Sequence, residues 1–326
     1  MGGVIMVGKL TKDDELSAST TANALGKGKY KSKQRQLQQH IKAKHGEVVR
    51  FDQNTAMELG DFFEEGIIRY AAKKMGLTDV ETEFPEAFTH PFFPVNCSLD
   101  GTAMAGDLTI EDNPEMGIYV PDHEHITING KGIIECKLTK DYPKDYPEDW
   151  RGWIQLKTQV EITSCSWGML VVFSHNANEI RYFFYERDPA FSEELRVLAD
   201  DWQQRVKSET YFDPETSDDA YAMFEDMPVA EDVLEMNEGF TSMIARQQNI
   251  EAEIKELEKE KDQIQTTLME KIGNHEKAVC GDFSLDWGYI NYKASPEKVT
   301  PAKEARSVRR KMVRIKERRA ADLKGA

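Results

Sequence analysis

A mixed α/β layer fold with a helical C-terminal extension is the fold class this sequence predicts. Three observations predict it. Apolar residues recur at helical spacing in the stretches that start at Lys33, Asn54, Glu148 and Ala190. Short runs rich in β-branched and aromatic residues separate them, among them "WGMLVVFS" from Trp167 and "EIRYFFYER" from Glu179. Beyond residue 238 a long helical pattern replaces this alternation. Helices interleaved with short strands bury their apolar faces by layering helices on a sheet.

Each element follows from its residues. Residues 1–15 are expected to be loose. "LSASTTANALGKG" from Leu16 predicts a short helix with a Ser/Thr-rich start and a glycine break, and "KQRQLQQHIKAKHG" a helix that ends at Gly46. The run from Asn54 predicts a strong helix, capped by Asn54 or Thr55, closed by Gly76 and apolar on the side of Met57, Phe62, Phe63, Ile67, Ile68 and Tyr70. Residues 83–105 have strand and turn character, broken by Pro85, Pro91 and Pro94. Residues 106–130 read as a polar insertion with a hairpin near "HITING", and residues 131–139 as a strand. The stretch from Glu148 predicts a helix, the two apolar runs after it a strand pair joined by "HNAN", and Ala190 onward an amphipathic helix.

The remainder has a different character. Residues 209–238 hold eleven acids and no Lys or Arg, which predicts a linker or loosely ordered loop. In 239–272, Ile250, Ile254, Leu257, Ile264 and Leu268 follow 3/4 spacings with Lys261 in the skipped place, a coiled-coil or helical-hairpin seam. "DFSLDWGYINYK" from Asp282 alternates as a strand does, and the last thirty residues form a basic helix or tail. The expected organisation is therefore a first domain over 1–208, with its core at about 54–208 and a basic helical part at 16–50. An acidic linker at 209–238, a helical and strand module at 239–295 and a basic tail at 296–326 complete it.

Composition narrows the function classes. With 40% hydrophobic and 31% charged residues in a 326-residue chain, a real core and a soluble protein are expected. No apolar run is long enough to span a bilayer, and "MGGVIMVGKL" lacks the apolar core of a secretory signal, so a cytoplasmic location and no membrane partner are expected. Cys97, Cys136, Cys165 and Cys280 form no CxxC pair, which argues against a zinc ribbon or a locally ligated iron–sulfur cluster. The net charge is −16, yet residues 27–50 and 297–326 each carry +7. Two basic segments on an acidic body leave room for a local phosphate-binding surface.

The residues that carry chemistry are Asp100, Glu135 and Lys137. Side chains two apart on a strand share a face, so Glu135 and Lys137 project together while Ile134 and Cys136 point the other way. Taken alone, this is an ion pair on a solvated strand. An adjacent strand that carries Asp100 changes the chemistry: two neighbouring carboxylates repel unless a divalent cation lies between them. Oxygen ligands favour Mg²⁺, with Mn²⁺ as a substitute. A nearby ammonium orients water or stabilises charge developing on phosphorus. "DHEH" at Asp122–His125 is read as polar loop rather than metal site.

The order of the pieces resembles the PD-(D/E)XK nuclease superfamily, and more narrowly its branch of phage lambda-type exonucleases and YqaJ-like viral recombinases. "SLDG" is similar to that family's S-P-D-G turn, with Leu99 where proline is usual. "IIECK" is similar to its L-E-[LIV]-K strand, and "WIQLKTQVEIT" to its glutamine helix, with Lys157 in place of the second glutamine. "MELGDFFEEGIIRYAAKKMG" is similar to its W-G-x-x-x-E helix, and "LSASTTANALG" to its N-terminal T-A-S segment. The resemblance spans about Leu16 to Phe191. It implies a restriction-endonuclease-like core, a central mixed sheet flanked by helices. It implies Asp100 and Glu135 as metal ligands with the Cys136 carbonyl as a third, Lys137 as catalytic lysine, Gln155 near the attacking water and Glu64 as auxiliary acid. Ser19, Ser98 and Lys12 are implied as 5′-phosphate contacts. Lys27, Lys29, Lys31 and Lys33, with Tyr30 among them, are candidate DNA-backbone contacts read from charge.

What the resemblance implies is an Mg²⁺-dependent exonuclease. It would act on double-stranded DNA ends from the 5′ side, leave 3′ single strands for phage-type recombination, assemble as a ring with a trimer favoured, and work beside a single-strand annealing protein. The alternatives are a structure-specific endonuclease on the same fold and a DNA-end-binding scaffold that has lost catalysis.

Overall fold

The computed structural model describes residues 11–47, 55–121, 123–225, 227–228, 230 and 232–288. The chain divides into two compact units, Met1–Met227 and Pro228–Ala326.

The first unit opens with α1 (Ala18–Ala24), whose start is fixed by a capping box between Ser17 and Thr20. Helix α2 (Lys33–Lys44) follows, with Ser32 accepting from the Arg35 backbone N–H, and then α3 (Thr55–Lys74). The chain next forms β1 (Thr78–Glu81), the short pair β2 (Phe88–Thr89) and β3 (Asn96–Cys97), and the long strand β4 (Gly101–Glu111). After β5 (Ile118–Tyr119) comes β6 (His125–Thr139), and a kinked turn at Asp149–Trp153 leads into α4 (Ile154–Thr163). Strands β7 (Trp167–Ser174) and β8 (Glu179–Glu186) and helices α5 (Pro189–Ser208) and α6 (Ser217–Phe224) complete the unit.

Six strands make one mixed sheet in the order β1-β4-β6-β7-β8-β5, with β6 parallel to β7, β5 parallel to β8 and the other pairs antiparallel. Helices cover both faces. Ile133, Leu170, Val172 and Phe183 face a cluster with α1, α2, α4 and α5. Ile134, Cys136, Met169 and Val171 face a second cluster with Ile68, Ala71 and Ala72 of α3. This is the mixed α/β layering that the sequence predicts, with the central mixed sheet flanked by helices that the resemblance implies, and the expected separation of Ile134 and Cys136 from the Glu135 face holds.

Two expectations need correction. The polar insertion at 106–130 is mostly strand: β4 and β6 pair continuously from Gly101↔Ile134 to Glu111↔His125 apart from a bulge between Ala105 and Leu108. The hairpin near "HITING" is therefore one arm of this long ladder, and β6 begins six residues before the expected strand. Alternating Ile110, Ile126 and Ile128, all buried, explain why so polar a stretch is drawn into the sheet. The acidic run is not loose throughout either. Thr216 and Asp219 form a capping box for α6, and α6 packs on α2. Arg35 supplies the opposing charge, with Nε 3.1 Å from Asp218 and Nη1 2.5 Å from Glu225, while Gln38 donates to the Ala222 carbonyl at 2.7 Å. The acids that mark this segment as a linker in the sequence are partly spent on the basic helix.

Among its described residues the second unit contains one continuous helix, α7 (Gly239–Ile272), and a two-stranded hairpin of β9 (Lys277–Cys280) and β10 (Phe283–Asp286). No second helix folds back on α7 among the described residues. The expected strand residue Tyr289, the basic tail at 296–326, Asn54, Arg50 and Asp122 lie outside the described residues. No described helix is long and apolar enough to cross a membrane.

Candidate active site

The register of β4 against β6 sets the first contact. Gly101 pairs with Ile134, so Asp100, just before β4, comes beside Glu135. Asp100 Oδ2 accepts from the Cys136 backbone N–H at 3.0 Å, which ties the turn to the strand. Gly101 leaves room for a close approach at this point. A Cβ there would lie 3.0 Å from Ile68 Cγ2 and 3.2 Å from its Cδ1, so α3 packs onto backbone that carries no side chain. Glu64 lies one turn before Ile68 on α3, and this close approach brings its carboxyl within electrostatic reach of Asp100 and Lys137.

Glu135 is completely buried. Its Oε1 accepts from Lys137 Nζ and its Oε2 from Gln159 Nε2 at 2.7 Å. Gln159 also donates to the Ser98 carbonyl at 3.0 Å, so a single buried amide joins α4, β6 and the turn before Asp100. Gln159 Oε1 is buried and has no protein partner. Lys137 keeps 31% of its side-chain surface accessible. Its stem is held by Gly152, whose φ is +90° and where a Cβ would meet Lys137 Cε and Cγ at 3.1 Å. Arg151 clamps the same turn to the end of β6 through Thr139, Asp141 and Glu148.

Electrostatics follow from burial. The Glu64 carboxyl is pushed up to about 8, by desolvation first and the Asp100 charge second. Glu135 shifts in the same direction for the same two reasons, against the pull of Lys137 and Gln159. For Lys137, burial lowers the affinity for a proton, but Glu135 and Asp100 outweigh it and hold the ammonium above its ordinary range. The four groups form one unit in which negative charge is costly until a cation joins it.

The donor set fits a hard divalent cation. Asp100 and Glu135 act on one another electrostatically, and the amide oxygen of the adjoining Gln159 is buried without a protein partner, so the donors here are oxygens. Among the described residues no three His, Cys, Asp or Glu side chains group tightly enough to hold a metal by themselves. Cys136 offers only its backbone here, because its thiol is buried on the opposite face.

The other expected residues fall into place unequally. Gln155, half-buried on α4, lies one turn ahead of Gln159, and it is Gln159 that reaches Glu135. Ser98 is exposed beside Asp100, and its carbonyl anchors Gln159. Ser19 is exposed at the start of α1, 3.1 Å from Ser17 Oγ, and Ser17 bridges to Asn96 just before Ser98. Lys12 is paired with Glu15 at 2.5 Å. Lys27 lies 3.2 Å from Asp149, and Lys29 lies 4.3 Å from the Trp150 ring centre, so both cover the kinked turn that carries Gly152. Exposed Tyr30 meets Trp150 edge-on at 5.4 Å. Lys31 donates to Gln39, and Lys33 turns onto the Phe212 ring at 3.8 Å, where burial lowers its proton affinity. Of the four lysines, Lys27 and Lys29 are thus the two placed against the turn beside Lys137. Trp150 and Arg151, which the sequence reading did not single out, complete this rim.

No protein-family model matches the sequence, and no curated protein matches it. Among solved structures, the chain is similar to LHK-Exo, an alkaline exonuclease from Laribacter hongkongensis solved in complex with dAMP. The identity is 17% and the TM-score 0.44, covering 61% of this chain and 90% of that one. It is also similar to a phage related exonuclease from Haemophilus somnus 129PT, at 14% identity and a TM-score of 0.40, covering 60% of this chain and 96% of that one.

Proposed function

We propose that this protein is a divalent-metal-dependent deoxyribonuclease, an exonuclease that digests linear duplex DNA from the 5′ end and leaves a 3′ single strand. The observation that carries the reading is the convergence of Asp100, buried Glu135 and Lys137, held by Gln159, beside a rim of Lys27, Lys29 and Tyr30. Asp100 and Glu135 would hold Mg²⁺ (or Mn²⁺). That ion supplies an activated water and neutralises charge at phosphorus.

The chain's own residues do the rest. Gln159 fixes the Glu135 carboxylate so that one oxygen faces the site. Lys137, whose ammonium stays protonated across the neutral range, stabilises the charge that grows on the phosphate oxygens. Glu64, whose carboxyl gives up its proton only as pH rises toward about 8, then accepts a proton from the attacking water. Hydrolysis forms a P–O bond to water and breaks the bond to O3′, leaving a 5′-phosphate and a 3′-hydroxyl. Lys27, Lys29 and Tyr30 offer two charges and a stacking face to the strand that enters over the Asp149–Trp153 turn. Ser19 and Ser98 are the hydroxyls proposed to hold a terminal phosphate, and assembly into a ring is proposed on the motif resemblance alone.

Digestion of linear duplex against a covalently closed circle, with 5′-phosphate or 5′-hydroxyl ends and with Mg²⁺ present or chelated, tests the reading. The account expects Mg²⁺-dependent loss of the linear form only, faster from 5′-phosphate ends. Cleavage of the circle would move the assignment to an endonuclease on the same site.

A further inference from the structure

The loop that follows β6 is a tandem repeat. Residues 140–147 read Lys-Asp-Tyr-Pro twice over, from Lys140 to Pro143 and from Lys144 to Pro147. The fold treats the two copies alike. Each lysine and each tyrosine is exposed, and each proline is half-buried. Each aspartate lies against an arginine. Asp141 pairs with Arg151, and Asp145 lies 3.7 Å from Arg181 and accepts from the Tyr119 hydroxyl at 2.6 Å.

The backbone of the loop is tied down as well. Ser174 donates to the Asp141 carbonyl at 2.5 Å, Asn176 donates to the Lys140 carbonyl at 2.8 Å, and the Asp141 N–H donates to Thr139 Oγ1 at 3.1 Å. A residue that precedes proline is confined to extended backbone, which removes freedom from Tyr142 and Tyr146 in turn. Two rings are therefore held out from an anchored loop: Tyr142 is 78% exposed and Tyr146 57%. Tyrosine loses little conformational entropy when it is bound, and the anchoring lowers that cost further.

Position and charge decide what such rings meet. The loop leaves directly from β6, the strand of Lys137, and leads into the Asp149–Trp153 turn whose Gly152 packs on the Lys137 stem. Lys29 of the rim acts electrostatically on Asp141, so rim and loop form one continuous surface. Lys144 Nζ lies 5.7 Å from the Tyr146 ring centre. Cations and rings thus alternate along the loop as Lys140, Tyr142, Lys144 and Tyr146. That alternation suits a strand whose bases stack on rings while its phosphates meet cations. The hollow between Tyr142, Lys144, Tyr146 and Arg151 holds only ≈ 20 Å³, room for about one water. No base enters it, so contact is made by ring faces at the surface. A base inside a duplex is stacked on its own neighbours, so only an unpaired strand can use these faces.

We propose that Tyr142 and Tyr146, with Lys140 and Lys144, form a stacking platform for single-stranded DNA beside the hydrolytic site. The choice of DNA as ligand rests on the nuclease reading above. Stacking on a ring face tolerates any base, so the platform holds a strand close to Lys137 without selecting its sequence.

Fluorescence anisotropy of the full-length protein with a labelled oligothymidylate, in chelator so that no strand is cut, tests the proposal. Tyr142→Ala/Tyr146→Ala is expected to weaken binding by at least ~10-fold. Tyr142→Phe/Tyr146→Phe, which keeps both rings, is expected to stay within ~2-fold of the unaltered protein. An abasic strand of the same length carries the phosphates without the bases, and the alanine variant should bind it as the unaltered protein does. Oligothymidylate binding that is unchanged in the alanine variant overturns the proposal. So does the absence of binding by the unaltered protein, and so does an equal loss on the abasic strand, which would assign the contact to the backbone alone. Digestion of linear duplex in Mg²⁺ by the same preparations is read separately. Its absence from the unaltered protein would sink the nuclease reading, while a loss of oligothymidylate binding confined to the alanine variant would still establish the platform.

Discussion

Strand β6 and helix α7 break the ordinary partition of residues in opposite directions. In β6, polar atoms are inside: Glu135 is fully buried and bonded to the equally buried Gln159. In α7, apolar atoms are outside: every residue from Gly239 to Leu268 is exposed, Leu257 among them. The first inversion is costly unless the buried groups are paired or bind a cation. The second is costly unless another surface covers it. A buried polar cluster thus marks chemistry, and an exposed apolar stripe marks a partner.

Variants can break or sharpen this contrast. The largest effect is expected inside the sheet. Asp100→Ala and Lys137→Ala should each lower duplex digestion by about 10³-fold, measured as nucleotide release at saturating Mg²⁺ with unchanged far-UV circular dichroism. Gln159→Ala, which frees the Glu135 carboxylate, should cost roughly 10–100-fold. Gln155→Ala should cost less than about 3-fold, and equal losses at the two positions would return the supporting role to Gln155.

A stability effect comes next. The Glu64 carboxyl has its proton affinity raised on folding, so its contribution is full below the ordinary carboxylate range and is lost as pH rises toward about 8. Without divalent cation, the Tm should fall across that window, and Glu64→Gln should flatten the fall by roughly 2–5 °C. Saturating Mg²⁺ should do the same to the unaltered protein, because a cation stabilises the ionised form. The smallest effect on the site is expected from α7. Leu257→Ser, on the exposed face of a helix in the other unit, should leave the rate of digestion within about 2-fold.

Much of this was legible in the sequence because the relevant patterns are local. The period-two spacing of Glu135 and Lys137 fixed their shared face, and the glycine after Asp100 marked the turn. What was not legible depends on how elements meet. Gln155 and Gln159 share a helix face, and only the kinked entry at Arg151 and Gly152 decides which of them meets Glu135. The strand content of 106–130 depended on pairing with β4 rather than on its own polar composition. The helix inside the acidic run depended on Arg35, nearly two hundred residues earlier in the chain. The close seat of Ile68 against Gly101, which delivers Glu64, had no sequence signal beyond the glycine itself.

The central claim is that Asp100, Glu135 and Lys137 form one metal-dependent hydrolytic site. Digestion of 5′-phosphorylated, end-labelled linear duplex by the unaltered protein and by Asp100→Ala, with Mg²⁺ and with chelator, tests it most directly. The account predicts nucleotide release by the unaltered protein with Mg²⁺ alone, and none above background in the other three reactions. Release by Asp100→Ala at the unaltered rate, or release that persists in chelator, would contradict it.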